Sequence, residues 1–323
     1  MQLDVDGLNL FEKLYTVIIF LSVAIGIAIG QIDGIQENAE AFILPLLMLM
    51  LYLTFMQIPI HEIGKAFKNI KFTSISVIIN FIWTPVLAWL LALLFLRDSP
   101  ALFIGFIMLM VTPCTDWYLI FTKIARGNVA LSMSILPLNL LLQIVLLPLY
   151  LLVFAGTAGV IELEFLIKSI LLVLIVPLIL ALFTNWVFKK HPKKKESVLA
   201  SLSALPLVFL SLAILAMFAS QGNLLLANLD LLWKLLLPIL LFFLINYVVS
   251  QETGERLNFP KPEKTSLGLT TIARNSPVAL AIAITAFPNQ PLIALTLIIG
   301  PLLELPILAL VSQVLLVTNR EDK

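Results

Sequence analysis

The sequence predicts an all-α integral membrane protein with ten transmembrane helices, arranged as two inverted five-helix repeats with broken, crossing helices 4 and 9. Three observations predict this architecture. Hydrophobic residues make up 61% of the 323 residues and charged residues 12%, whereas soluble domains carry about 45–50% and about 25%. The apolar residues fall into ten runs long enough to span a bilayer. Proline and polar residues interrupt two of these runs at corresponding positions.

Composition also excludes several function classes. The net charge is +1, which gives no electrostatic reason to expect a nucleic-acid partner. A single cysteine excludes an intrachain disulfide and a multi-cysteine metal cage. The two histidines, His61 and His191, lie in polar stretches and form no ligand cluster. We therefore expect no metal and no cofactor. We also expect no enzyme, because the apolar runs contain no histidine and no paired-aspartate motif.

The ten spans follow from apolar runs of about 20 residues. They are predicted at Leu14–Ile32, Ala41–Ile60, Thr73–Leu96, Ala101–Phe121, Ala130–Ala155, Phe165–Phe188, Val198–Ser220, Leu231–Ser250, Ser266–Phe287 and Pro291–Thr318. The connecting loops are too short to hold a soluble catalytic domain.

The basic residues give the orientation of these spans. With the N-terminus in the cytoplasm, the inside segments contain sixteen Lys and Arg residues and the outside segments three, and Arg274 lies within a span. This asymmetry follows the positive-inside rule and places both termini in the cytoplasm. The basic stretch Lys189–Glu196 near the middle of the chain either anchors this topology or binds lipid headgroups.

The chain is predicted to be a single transporter domain, 1–323, built from repeats at 1–160 and 161–323. An offset of 161 residues aligns Cys114 with Asn275, Thr115 with Ser276, and Gln143 with Glu304. Because each repeat has an odd number of spans, the two halves would have opposite orientations in the membrane. This is a common plan of secondary transporters.

Both interrupted spans contain proline beside polar residues. The fourth reads VTPCTDWYLIF and the ninth reads TTIARNSPVALAI. Proline removes a backbone donor and crowds the preceding helical turn, and unpaired backbone groups inside a membrane need protein or a water-filled cavity around them. Corresponding breaks in two halves point to a binding site. The predicted substrate-binding residues are Thr112, Cys114, Thr115, Asn275 and Ser276.

Three charged residues lie inside predicted spans. At mid-membrane Asp116 and Arg274 each cost about 2.5–3.5 kcal/mol, so we expect them to pair where the broken helices cross. The pair would be structural, or it would gate or couple transport. Alternatively, Arg274 would face an anionic substrate. Glu304 would either carry a proton or be a structurally hydrogen-bonded carboxyl group.

Cys114 also has two interpretations. A free cysteine is commonly a small buried hydrophobe. At a helix break near the middle of the membrane, its thiol could instead bind a soft, thiophilic solute.

These motifs resemble a known family. TPCTDWYLIFTKIARGNVALS followed by LPLNLLLQIVLLPL is similar to the fourth and fifth spans of arsenite-efflux permeases, in the bile acid/arsenite/riboflavin transporter superfamily. ARNSPVALAIAITAF and IGPLLELPILAL resemble the ninth and tenth spans. The resemblance implies a panel domain and a core domain in a plasma membrane, and export of arsenite or antimonite in exchange for protons. It maps the essential cysteine onto Cys114 and the acidic residue onto Glu304. Asp116 and Arg274 depart from the common pattern and indicate a divergent subgroup.

The main alternative is a sodium- or proton-coupled symporter for an organic anion of the bile-acid type. The resemblance implies that the sodium-coupled branch binds sodium through a glutamate and a glutamine before an Asn-Ser pair. The corresponding positions here are Thr270 and Arg274. A guanidinium ion would repel sodium at that position, so the sequence favours proton coupling.

Overall fold

The computed structural model describes residues 10–32, 34–58, 64, 67–115, 118–155, 163–190, 192–202, 204–227 and 229–321. Within these ranges the backbone is almost entirely helical, and the extended pairing is a single isolated β-bridge. The α-helices are α1 (Leu10–Ile29), α2 (Ile35–Gln57), α3 (Ile70–Ile78), α4 (Thr84–Phe95), α5 (Pro100–Met110), α6 (Tyr118–Ile124), α7 (Val129–Ala155), α8 (Leu163–Ile170), α9 (Val176–Val187), α10 (Pro192–Leu202), α11 (Leu205–Ala227), α12 (Leu229–Arg256), α13 (Lys261–Ile272), α14 (Ser276–Ala286) and α15 (Pro291–Glu321).

Short π-helical segments at Ile79–Trp83 and Leu171–Ile175 join α3 to α4 and α8 to α9, so each pair forms one long rod. A π-segment inserts one residue into a helical turn and often occurs at functional sites. The first of these segments, INFIW, contains Asn80, a buried amide among apolar residues.

Among the described residues, seven helical stretches are long and apolar enough to cross a membrane. They are Asn38–Gln57, Phe67–Phe95, Val129–Phe154, Glu164–Val187, Leu205–Asn223, Trp233–Arg256 and Pro291–Thr318. Shorter apolar helices at Val17–Ile29, Pro100–Met110 and Ser276–Ala286 correspond to the other three predicted spans. The protein is therefore a multi-pass membrane protein, and the total of ten spans stays a prediction.

The helix bounds differ from the predicted spans near the middle of the chain. The seventh span was predicted to begin at Val198, but α11 begins at Leu205, and the preceding basic stretch forms the separate helix α10. Pro206 agrees with this boundary, because it lies in the first turn of α11, where a backbone N–H has no intrahelical partner and proline is tolerated.

The helices pack in two groups, and each group mixes segments from both halves of the chain. Helix α11 packs against α1 and α2, and α9 packs against α2, whereas α4, α5, α14 and α15 form part of a second group together with α12 and α13. The interrupted helices belong to the second group, so packed protein surrounds their breaks.

Small residues allow α1 and α11 to approach closely. Gly26 lies in α1 and Gly30 directly follows its last residue, and a Cβ atom added to Gly26 would be 2.6 Å from the carbonyl oxygen of Leu215. This Gly-x-x-x-Gly spacing is common where helix backbones touch inside membranes.

Candidate functional site

The two interrupted helices meet at their breaks. Helix α5 ends at Met110 and α13 ends at Ile272. Beyond these ends, Pro113 and Arg274 form an antiparallel β-bridge. The N–H of Cys114 donates to the carbonyl oxygen of Ala273 at 3.0 Å. Each break thus supplies hydrogen-bond partners to the other, which removes much of the cost of exposing non-helical backbone inside a membrane.

A second backbone hydrogen bond makes this crossing locally symmetric. The N–H of Asn275 donates to the carbonyl oxygen of Thr112 at 2.7 Å. An offset of 161 residues aligns the two donors, Cys114 and Asn275, with each other. It also aligns the two acceptors, Thr112 and Ala273. Every antiparallel bridge has such a reciprocal pair of hydrogen bonds; here the bridged residues, Pro113 and Arg274, are themselves 161 positions apart.

Asn275 fixes the start of α14 and links it to the other break. Its Oδ1 accepts from the N–H of Val278 at 3.2 Å, which is the N-cap hydrogen bond of this helix. Its Nδ2 donates to the Oγ1 of Thr115 at 3.0 Å. Pro277 follows in the first turn of α14, where proline is tolerated.

The structure brings the predicted substrate-binding residues together around the crossing. All five have buried side chains. The hydroxyl group of Thr112 donates to its own helix, with the carbonyl oxygen of Met108 at 2.9 Å. Cys114, the single thiol of the chain, is 2% exposed and lies between the bridged Pro113 and the hydrogen-bonded Thr115. Binding of substrate by these residues stays a prediction.

Arg274 directs its guanidinium group to oxygen atoms of several segments, and the residue is 1% exposed. Nε donates to the carbonyl oxygen of Ile272 at 3.2 Å, and Nη1 donates to that of Met110 at 2.9 Å. Nη2 donates to Oδ1 of Asn80 at 2.9 Å and also to the carbonyl oxygen of Thr271. The predicted partner, Asp116, lies outside the described residues, so their pairing stays a prediction.

Glu304 reaches the break from α15. Its Oε1 accepts from the backbone N–H of Arg274 at 2.7 Å, and the residue is 1% exposed. The carboxyl group thereby satisfies a backbone donor that the interruption of the helix would otherwise leave unpaired. Sequence reasoning identified Glu304 as an intramembrane charge, but it did not identify this backbone partner.

Sequence reasoning also missed two buried amides, Asn80 and Asn139, and it named a third, Gln143, only as the position aligned with Glu304. Asn80 accepts from Arg274 and donates from Nδ2 to the carbonyl oxygen of Thr270 at 3.3 Å. Asn139 and Gln143 lie one turn apart on α7, and no described residue forms a hydrogen bond with either side-chain amide. The sequence did contain a signal for these residues, because each is an amide inside a predicted apolar span. Buried polar groups need hydrogen-bond partners.

The turn after α6 gives the two halves a further contact. The N–H of Asn128 donates to the carbonyl oxygen of Pro262 at 2.9 Å, and the hydroxyl group of Ser266 donates to the carbonyl oxygen of Asn128 at 3.0 Å. A Cβ atom on Gly127 would be 2.7 Å from Cγ2 of Thr122, so the close packing of this turn requires glycine.

The multi-pass fold and the buried crossing of two interrupted helices are features of solute transporters. Comparison with known families agrees with this class. The model of the sodium bile acid symporter family matches residues 44–228, which is more than half of the chain. The chain belongs to this family.

Individual relatives cover most of the chain at low identity. An uncharacterized transporter of Synechocystis sp. is 23% identical over 95% of this chain and 88% of its own length. The arsenical-resistance protein Acr3 of Corynebacterium glutamicum is 22% identical over 93% of this chain and 87% of its own length. The corresponding protein of Alkaliphilus metalliredigens is 21% identical, with coverages of 94% and 91%.

Proposed function

We propose that this protein is a secondary transporter that exports arsenite across the plasma membrane in exchange for protons. The main support for this proposal is the position of Cys114. Its backbone N–H donates to the carbonyl oxygen of Ala273 where the two broken helices cross. Similarity to two arsenical-resistance proteins over most of their length supports a role in arsenical resistance.

The chemistry of the crossing suits a small, neutral, thiophilic solute. Thiol groups bind soft metals and metalloids, and the Cys114 side chain is buried between the two breaks. Hydroxyl groups of Thr112, Thr115 and Ser276 lie on neighbouring residues and could donate to or accept from the oxygen atoms of arsenite. Antimonite has the same chemistry and is a second candidate for export.

Glu304 is the proposed proton carrier. Its carboxyl group accepts from the backbone N–H of Arg274, and hydrogen bonds to an ionised acceptor are stronger than those to a neutral one. Protonation would therefore weaken a contact at the break itself. In this way the charge of Glu304 would couple to the geometry of the crossing where the solute binds.

The proposed topology has ten spans in two inverted repeats with both termini in the cytoplasm. The asymmetric distribution of basic residues supports this orientation. The bridge between Pro113 and Arg274 supports the repeat, because these paired residues are separated by the same 161 positions.

Symport of an organic anion is the second candidate, because the matching family model is that of the sodium bile acid symporters. Arg274 would be the natural partner for an anionic substrate. Its guanidinium group instead makes four hydrogen bonds to oxygen atoms of the protein. These bonds would have to break before the anion could bind, which favours the first proposal.

Complementation in cells that lack their own arsenite exporter tests the proposal. The wild-type chain should restore arsenite tolerance and lower the arsenite content of the cells, and Cys114→Ser should abolish both effects. Ser312→Ala is the matched control, because the Ser312 hydroxyl group is buried and donates within its own helix, to the carbonyl oxygen of Ala309 at 2.7 Å. This variant should behave as wild type.

The amount of protein in the membrane and its thermal midpoint are measured for each variant. Arsenite tolerance that persists in a well-expressed Cys114→Ser variant would contradict the assignment of the thiol. An absence of complementation by the wild type, together with a rise in its thermal midpoint on adding sodium or an organic anion, would favour the second candidate.

A further inference from the structure

Gln143 of α7 carries a fully buried amide group. Its side chain has no exposed surface, and neither Nε2 nor Oε1 has a hydrogen-bond partner among the described residues. A buried polar group without a partner costs about 1–3 kcal/mol, so its presence in a folded protein needs an explanation. The neighbours of α7 include α5 and α13, the helices that end at the two breaks. The amide is therefore available for hydrogen bonding within the group of helices that contains the crossing.

Comparison with Glu304 indicates where the Gln143 amide lies relative to the breaks. Glu304 follows Arg274 by 30 residues and accepts from its backbone N–H at 2.7 Å. Gln143 follows Pro113 by the same 30 residues, and Pro113 is the residue that the β-bridge pairs with Arg274. Under the predicted repeat, Gln143 would approach the break at Pro113 as Glu304 approaches the break at Arg274.

Proline makes the two breaks chemically different. Pro113 has no backbone N–H, so Gln143 would find no donor there. At the other break, the backbone N–H of Arg274 donates to Glu304. The lack of a donor at Pro113 is a physical reason why the Gln143 amide has no partner. The residue after Pro113 is Cys114, whose thiol is the proposed ligand of arsenite.

An amide beside a thiol can recognise an arsenic atom that carries hydroxyl groups. When a thiol reacts with arsenite, As(OH)₃, one S–As bond forms and one As–O bond breaks, and the thiol proton leaves with that hydroxyl group as water. The oxidation state of arsenic does not change, and two hydroxyl groups remain on it. A primary amide has two N–H donors and one carbonyl acceptor. It can therefore donate to one hydroxyl oxygen and accept from the other hydroxyl group.

We propose that the Gln143 amide binds the hydroxyl groups of arsenite held at Cys114, and that it thereby selects hydroxylated arsenic(III) over methylated forms. This inference rests on the proposed function and adds a specificity-determining residue to it. Methylarsonous acid, CH₃As(OH)₂, is the discriminating analogue, because after the same exchange it retains one hydroxyl group and one methyl group. A site that hydrogen-bonds a hydroxyl group rejects an analogue that lacks it, since part of the site is then left unpaired.

The test measures the thermal midpoint of the purified full-length protein in detergent while arsenite or methylarsonous acid is added. The wild type should show a saturable rise with arsenite. Gln143→Leu should raise the half-saturating arsenite concentration about three- to tenfold, as expected for the loss of one hydrogen bond. The half-saturating concentration of methylarsonous acid should rise by a smaller factor, so the selectivity of the variant shifts toward the methylated compound.

Asn185→Leu is the matched control. It also replaces an amide by leucine, and Oδ1 of Asn185 has no partner among the described residues. Asn185 lies on α9, away from the crossing, where its Nδ2 donates to the carbonyl oxygen of Met56 at 3.4 Å. This variant should keep the wild-type half-saturating concentrations of both compounds.

Gln143→Met is a second test variant, because it keeps the length of the side chain without its polar atoms. It should reproduce the shift in selectivity, and it replaces Gln143→Leu if the leucine variant does not fold. Wild-type half-saturating concentrations in either folded variant would overturn the proposal. If neither variant folds, the amide is needed for the fold itself, which also overturns it.

Failure of this inference is distinguishable from failure of the arsenite proposal. A wild type whose midpoint does not respond to arsenite, and which restores no tolerance, contradicts arsenite export and the role of Gln143 with it. A wild type that responds to arsenite, together with Gln143 variants that keep its affinity and selectivity, overturns the specificity role alone and leaves arsenite export supported.

Discussion

The carboxyl group of Glu304 accepts a hydrogen bond of 2.7 Å from the backbone N–H of Arg274, at the point where the α13–α14 helix is interrupted. A side chain of α15 therefore completes the backbone hydrogen bonding of another helix. This contact joins a titratable group to the conformation of the break, and it is where proton coupling can be tested.

Glu304→Gln should separate solute binding from proton coupling. The glutamine amide oxygen can still accept from the Arg274 N–H, so the variant should fold, but it cannot take up and release a proton. In proteoliposomes, arsenite exchange without a gradient should continue, whereas transport driven by a pH gradient should be lost. Glu252→Gln, which changes a solvent-exposed ion pair with Arg256, is the control and should keep both activities. Gradient-driven transport by Glu304→Gln would exclude Glu304 as the proton carrier.

Thr115→Val should weaken the link between the two breaks. The substitution preserves the shape of the side chain but removes the hydroxyl group that accepts from Asn275 at 3.0 Å. Loss of one such bond should lower the free energy of unfolding by about 0.5–1.5 kcal/mol and reduce transport. Thr122→Val, where the hydroxyl group bonds within its own helix to Tyr118, is the control for stability. Equal transport by wild type and a stably expressed Thr115→Val would remove this link from the proposed site.

Asn139 and Gln143 should respond to apolar substitution differently from Asn80. A buried polar group without a partner costs about 1–3 kcal/mol, and no described residue bonds to the amides of Asn139 or Gln143. Asn139→Leu and Gln143→Leu should therefore raise the thermal midpoint while reducing transport, if these amides bind water or solute during the cycle. Asn80→Leu should lower the midpoint, because its amide has two partners. A drop in midpoint at all three positions would show that the α7 amides are structural.

Gly26→Ala should separate α1 from α11. The added Cβ would lie 2.6 Å from the carbonyl oxygen of Leu215, so the backbones must move apart. We expect a loss of about 1–3 kcal/mol in the free energy of unfolding, as for other overpacked sites. Gly222→Ala is the control on the same interface, because its nearest neighbour is a side-chain carbon of Ile27 at 3.3 Å, which can adjust. If both variants unfold at the same temperature, close backbone contact does not stabilise the packing of α1 on α11.

Local chemistry was enough to predict that the chain spans a membrane and that two of its helices are interrupted. Apolar runs of bilayer length, and proline beside polar residues at positions 113 and 277, predict where helices form and where they stop. The helix ends at Met110 and Ile272 agree with this prediction. The start of the seventh span was wrong because the charged stretch before it folds into a helix of its own, α10.

Local sequence patterns were enough to predict that this chain spans a membrane many times, that it carries charges inside the membrane, and that two of its helices are interrupted. The folded structure was needed to show which atoms meet at the interruptions. Asn80 and Arg274 are 194 positions apart in the chain, yet their side chains bond at 2.9 Å. Local pattern cannot identify such a pair, because the partner of a buried polar group depends on how distant helices pack and on which backbone groups their interruptions leave unpaired.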